Sequence, residues 1–232
     1  MDDVWPRNGR VASGCSGWFL SEKGVYTSYT WHPFLGQVRL EGAPARTRYV
    51  EDWEVVEALS LPSVRKRGSV QAIQAYIRIK LLTGLRRGDM LRLRLSDCGE
   101  DGIYAKPSKT THTTGRSIVI GWSDELREAF ELAKAARPVD ISPFLFCNRH
   151  GESYYNEAKG TANGWDSMWQ RFMRRVLEET EVKERFTEHD LRAKCASDAE
   201  SLAHAKALLA HADERTTQRW YRRKPEKVRP LR

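Results

Sequence analysis

Between Ser69 and Gly84 the apolar residues Val70, Ile73, Ile77 and Leu81 return every three or four positions, the interval that lines side chains along one face of an α-helix. Ser69 is a candidate N-cap for this helix, and Gly84 is a natural stop. Upstream, an extended segment from Arg46 leads into a short helix after Asp52, with Val55, Val56 and Leu59 facing inward. From Leu91 to Ile120 the period changes to two. LRLRLSDC, GIYAKPSK and GRSIVIGW read as short strands parted by Gly-rich or Thr-rich turns, and together they predict a small antiparallel sheet. Ser123 then caps a helix that runs towards Ala136 and is ended by Pro138. FLFC, residues 144–147, is one more strand or a buried extended segment. A longer helix from Thr161 to Glu178 carries Trp165, Trp169, Phe172 and Val176 on one stripe, a core pattern, with Arg171, Arg174 and Arg175 largely on the other side. The small-residue and leucine run from Leu202 to Ala210 predicts a buried helix. The class is therefore α+β and mostly helical. Residues 1–45 show no sustained period and are read as an unassigned lead-in, a remnant of linker, ahead of a domain over 46–232.

Composition narrows the partners more than the fold. A chain of 232 residues with 40% hydrophobic residues can bury a substantial core. A net charge of +8 favours an acidic partner, for which nucleic acid is the leading class. No stretch reaches the apolar length of a membrane span, and MDDVWPRNGR lacks the basic-then-apolar order of a signal peptide, so a cytoplasmic protein with no membrane partner is expected. Cys15, Cys98, Cys147 and Cys195 are scattered without a Cys-x-x-Cys pair, which points to neither a disulfide framework nor a zinc site, and no metal is expected.

The chemistry gathers between Thr187 and Tyr221. His189 and Arg192 are three positions apart, so on a helix they project from one face towards a common point. His211 ends the leucine run, and Tyr221 follows ten residues later. Arginine offers a phosphate paired donors, histidine exchanges protons near neutral pH, and a tyrosine phenolate can attack phosphorus. These types in this order suggest phosphoryl transfer.

The segment resembles the catalytic part of the tyrosine recombinases, the phage-integrase family. HDLR is similar to the family's His-x-x-Arg, LLAHADERTT to its Leu-Leu-Gly-His, and RWYRR to the segment carrying its nucleophile. TGLRRGD places Arg86 where the family has its first catalytic arginine, with Asp89 as a supporting brace. KPSKTTHTTGR resembles its lysine-bearing hairpin, with Lys109 the best match and Lys106 the near competitor. Ala210 stands where the family has glycine, and Tyr221 sits one residue further from His211 than in many members, which leaves Trp220 as the neighbour to rule out.

The resemblance, over roughly residues 46–232, implies a site-specific recombinase that cleaves and rejoins double-stranded DNA through a 3′-phosphotyrosine on Tyr221, without a cofactor. Arg86 and Arg192 would hold the non-bridging oxygens, Lys109 would protonate the departing 5′-oxygen, and His189 and His211 would orient the phosphate and move the tyrosine's proton. Arg171, Arg174, Arg175, Arg222 and Arg223 are candidate DNA contacts, although a solvated face explains the first three equally well. A full-length relative would act as a homotetramer on DNA. Too few residues precede Arg46 for the family's core-binding domain, so a lone catalytic domain, a truncated product or a prophage remnant is expected. The alternatives are a remnant that binds DNA without recombining it, a topoisomerase-like enzyme, and a non-catalytic RNA- or DNA-binding module that would need only the basic surface and not Tyr221.

Overall fold

The computed structural model describes residues 17–20, 26–29, 46–63, 68–107, 117–225 and 230–231. The chain divides into two units, Met1–Pro44 and Ala45–Arg232. Within the first, strands β1 (Gly17–Leu20) and β2 (Tyr26–Tyr29) pair antiparallel, Gly17 opposite Tyr29 and Leu20 opposite Tyr26. The lack of a sustained period had hidden this pair.

The second unit opens with α1 (Asp52–Ser60), started by a reciprocal cap between Glu51 and Glu54, whose carboxylate also pairs with Arg48. Val55 and Ala58 face the core, but Val56 is 63% exposed, because its inward place is taken by the buried, ion-paired Glu54. Helix α2 (Ser69–Thr83) is the central core helix: Ile73, Tyr76, Ile77 and Ile79 are fully buried, and Gly84 closes it in the left-handed region at φ 61°. Gly68, one residue before Ser69, occupies the cap position.

The stretch expected as three strands is built differently. α3 (Arg87–Arg92) absorbs the start of LRLRL, a single 3-10 turn follows at Leu95–Asp97, and β3 (Gly102–Ala105) pairs antiparallel with β4 (Ile118–Gly121). The alternation of leucines is real, since Leu91 and Leu93 are buried, but it spans the end of a helix and a short extended pairing. There the Leu145 N–H donates to the Leu93 carbonyl at 2.9 Å and the Leu95 N–H to the Pro143 carbonyl at 2.8 Å. FLFC is thus a buried extended segment facing that turn.

α4 (Asp124–Ala135) starts at Ser123, whose hydroxyl accepts from the Leu126 N–H at 3.2 Å. α5 (Asn163–Glu179) buries Trp165, Trp169, Phe172 and Val176, and the Trp165 ring packs 4.7 Å from that of Tyr76 on α2. Each such side chain contributes about 1.5–3 kcal/mol by leaving water. The last helices are α6 (Glu188–Asp198), α7 (Leu202–Leu208) and α8 (Glu214–Trp220). α6 lies against α2, so the chemistry it bears is set on the core rather than on a loop. Among the described residues, no helix is long and apolar enough to cross a membrane.

Candidate active site

Thr187 opens α6 with a capping box: its hydroxyl accepts from the Asp190 N–H at 3.2 Å, and the Asp190 carboxylate accepts from the Thr187 N–H at 2.9 Å. That fixes His189 in the first turn and Arg192 in the next. Arg192 is 3% exposed. Its guanidinium donates to the Gly84 carbonyl behind α2 and, at 2.9 Å, to the Leu209 carbonyl behind α7, and it lies 3.3 Å from His211 Nε2. Burial first, and then Arg86, lower its pKa to about 10, so it stays charged at neutral pH. Its Nε is buried without a partner among the described residues.

His211 follows Ala210, a non-glycine residue at φ 49°. The left-handed turn that glycine would make freely is forced here on alanine, and it lets the His211 N–H donate to the Lys206 carbonyl at 3.1 Å. An arginine can only donate, so Nε2 accepts from Arg192 and Nδ1–H donates to Thr217 Oγ1 at 2.9 Å. Burial, followed by Arg192 and Arg86, pushes the pKa of His211 down to about 4. It is a neutral imidazole at physiological pH.

Tyr221 is the C-terminal cap of α8, its N–H donating to the Thr217 carbonyl at 3.0 Å. Its ring is stacked on His189 at 5.1 Å and lies 4.8 Å from the ring of His211, with the Arg192 guanidinium 5.4 Å from its centre. Trp220 is instead 43% exposed, beside Arg219. His189 sits at the exposed mouth of the site, its Nδ1 3.4 Å from Arg223, and burial and that arginine lower its pKa.

Arg86, His189, Arg192 and Tyr221 line one cleft of about 490 Å³ with Lys80, Arg87, Gly88, Thr187 and Glu188. His211 backs it through Arg192 and Tyr221. Asp89 Oδ1 accepts from Arg92 at 3.2 Å. Lys109 lies outside the described residues; Lys106, just before them, is exposed and lines a different depression with Asp89, Arg92 and Tyr104.

The candidate DNA contacts separate into two kinds. Arg171, Arg174 and Arg222 are exposed. Arg175 is held by Glu179 at 2.7 Å. Arg223, expected on DNA, is turned inward: its side chain is 7% exposed, it donates to Asp190 at 2.6 Å and to the Arg48 carbonyl at 3.0 Å, and its N–H donates to Ser197 Oγ at 2.8 Å. Asp190 is fully buried, and a buried carboxylate takes the nearest cation the chain can supply. Burial raises its pKa, but Arg223 and Thr187 outweigh that and hold it below the ordinary range.

Lys80, Thr217 and Ser197 were missed in the sequence. Lys80 had a legible signal, for it falls on the buried stripe of Ile73, Ile77 and Gly84, where a charge is out of place. Among the described residues, no cluster of His, Cys, Asp or Glu is arranged to hold a metal ion.

The family model described as the phage integrase family matches residues 57–227. None of the curated proteins matches the chain in sequence. Among solved structures, a lambda integrase dimer bound to a COC′ core site is 17% identical with a TM-score of 0.60, over 84% of this chain and 66% of that one. XerA recombinase is 18% identical at 0.56, over 77% and 61%. The Tn1549 transposon integrase in complex with circular intermediate DNA is 18% identical at 0.60, over 78% and 64%. This chain therefore spans 61–66% of those chains, and at such identities the likeness is one of fold. With the family model spanning most of its length, the chain belongs to the phage integrase family.

Proposed function

We propose that the chain is a tyrosine-type site-specific recombinase that breaks and rejoins double-stranded DNA. The observation that carries this reading is the packing of the Tyr221 ring against both His189 and His211 with the Arg192 guanidinium beside it. Tyr221 Oη attacks the scissile phosphorus and the bond to the 5′-oxygen breaks, leaving a 3′-phosphotyrosine and a 5′-hydroxyl. In the reverse sense, a 5′-hydroxyl attacks the phosphotyrosine and releases the phenol, so the strand is rejoined without ATP. Arg86 and Arg192 hold the charge that grows on the non-bridging oxygens. His211 is neutral and accepts from Arg192 at Nε2, so it serves as an aligner of that arginine; His189, stacked on the phenol, is the better candidate to take its proton. Lys109 supplies the proton to the leaving 5′-oxygen. Arg171, Arg174 and Arg222 remain candidate phosphate contacts. The lambda integrase relatives are described as a dimer on a core site and a tetramer on a Holliday junction; a homotetramer on DNA, in the cytoplasm, is the corresponding proposal for a protein containing this domain.

The test is covalent trapping on a nicked suicide DNA substrate. Wild type is expected to form the adduct in EDTA as well as without it, and Tyr221→Phe to form none while retaining non-covalent binding. An adduct formed by Tyr221→Phe would transfer the role to another residue, with Tyr154 and Tyr155 tested next.

A further inference from the structure

Lys80 is 1% exposed and sits in the last turn of the core helix α2, yet its ammonium opens on the same cleft as Arg86, Arg192 and Tyr221. Of its three N–H donors, one is directed to Tyr76 Oη at 3.3 Å, and the Tyr76 ring centre is 5.4 Å away. No ion pair to Lys80 occurs among the described residues, because the neighbouring carboxylates face other groups. Glu188 accepts from Trp165 Nε1 at 2.8 Å and lies 3.8 Å from Arg87, and Asp89 is 3.2 Å from Arg92. On its other sides stand the like charges of Arg87 and Arg192.

A buried ammonium without an ion pair is costly, and a methionine would fill the same space in the core without that cost. Lys80 is therefore poorly explained as packing. We propose that Lys80 is a further active-site residue, one that reaches up from α2 to donate to the phosphate held by Arg86 and Arg192. The proposal rests on the reading of the cleft as a phosphate site and adds a third cation to it. Burial lowers the pKa of Lys80 to about 7; Glu188 and Asp89 oppose this, while Arg192 and Arg87 add to it. The lysine's contribution is thus complete below that value and fades as the pH rises through it. An incoming anion favours the charged form, so Lys80 takes up a proton as the phosphate arrives.

Sulfate keeps one charge state from pH 6 to 8.5 and serves as the probe. It is titrated into the whole chain and followed by amide NMR shifts, in wild type, Lys80→Met, Lys80→Arg and Arg192→Ala. Wild-type affinity is expected to fall with rising pH. Lys80→Arg should bind as tightly at pH 8.5 as at pH 6, and Lys80→Met about tenfold more weakly than wild type at pH 6, without the pH dependence. If Lys80→Met binds as well as wild type, or keeps the wild-type slope, while Arg192→Ala loses binding, the Lys80 proposal falls and the phosphate site stands. If Arg192→Ala is also without effect, or wild type binds no sulfate in the cleft, the site itself has been misread. Should Lys80→Met fail to fold, the comparison of Lys80→Arg with wild type across pH decides alone: a wild-type affinity independent of pH overturns the proposal.

Discussion

Gly84→Ala should weaken the fold and the site together. Gly84 ends α2 at φ 61°, and its carbonyl is one of the two that anchor Arg192. A Cβ there would stand 2.8 Å from Leu209 Cδ2 and 3.1 Å from Cys195 Sγ. The left-handed conformation costs an L-residue about 1–2 kcal/mol, and overpacking a filled core adds about 1–3 kcal/mol. The reduced freedom of the unfolded chain returns about 0.4–1 kcal/mol. The central expectation is a loss of roughly 2–3 kcal/mol, which in a unit of this size lowers the melting temperature by about 5–10 °C. Circular dichroism melts measure this. Leu209 also lends its carbonyl to Arg192, so displacing it disturbs both anchors of the guanidinium, and single-turnover cleavage should slow even at temperatures where the variant is fully folded. In a double-mutant cycle, Leu209→Ala removes the clash and leaves the backbone cost, so the two changes together should destabilise less than the sum of the singles. Melting within about 1 °C of wild type would refute the reasoning, since neither the strain nor the contact could then exist as described.

Other outcomes follow from the same geometry. His211 has its pKa lowered from 6.5 to about 4, so the unfolded chain binds this proton first; the stability it contributes is whole above about pH 6.5 and is lost on acidification towards pH 4, and His211→Gln should flatten that limb of a melting-temperature profile. Arg223→Ala leaves Asp190 with Arg46, 3.2 Å away and half exposed, and should cost about 3 kcal/mol, the lower end for a broken buried pair, while slowing cleavage. The salt dependence of DNA binding should not change in that variant, whereas Arg174→Ala should reduce the slope of log affinity against log salt by about one. For Ala210→Gly, relief of about 1–2 kcal/mol of left-handed strain is nearly cancelled by the lost methyl burial, about 0.8 kcal/mol, and the added unfolded-state freedom, about 0.4–1 kcal/mol, so calorimetry should find little change.

What could be read from the sequence follows from how one-sided each element is. α4 and α5 have a face towards the core and a face towards solvent, and their spacing named them; the Trp165, Trp169, Phe172 and Val176 stripe is buried as the spacing implied, whereas α2 exposes only Ser69 and Arg78 and was marked by its apolar residues between Ser69 and Gly84. α6 has no such contrast. Asp190, Leu191, Arg192, Ala193, Lys194, Cys195, Ala196 and Ser197 are all buried, so polarity along it carries no period, and only the residue chemistry of HDLR marked it. LRLRL misled for the opposite reason, because a genuine alternation was read as a strand when the first leucine ends a helix. Arg223 was invisible as an internal residue, since its partner Asp190 is thirty-three positions earlier and nothing in RRKPEK distinguishes a buried arginine from a solvated one.

The arrangement of charge around the cleft explains why those inward arginines and lysines matter to chemistry on an anion. Three carboxylates stand on α6 beside Arg192, one of them, Glu188, lining the cleft, and each is turned to a cation other than Arg192. Asp190 is taken by Arg223 and Arg46, Glu188 faces Arg87 and Trp165, and Asp198 is shared by Lys194 at 2.9 Å and Lys224 at 2.9 Å. Had any of them swung to Arg192, it would neutralise the guanidinium and compete with a phosphate for the same donors. Instead Arg192 is fixed by two carbonyls, which orient its plane without cancelling its charge, and Nε has no acceptor among the described residues. The outer ion pairs therefore hold α6, the Arg46–Tyr49 strap and the segment after Tyr221 in one piece, and keep the positive field of the cleft available. An anion bound there would stabilise the folded chain by an amount that grows with the logarithm of its affinity, which on the proposed reading couples the strength of phosphate binding to the order of the segment that carries Tyr221.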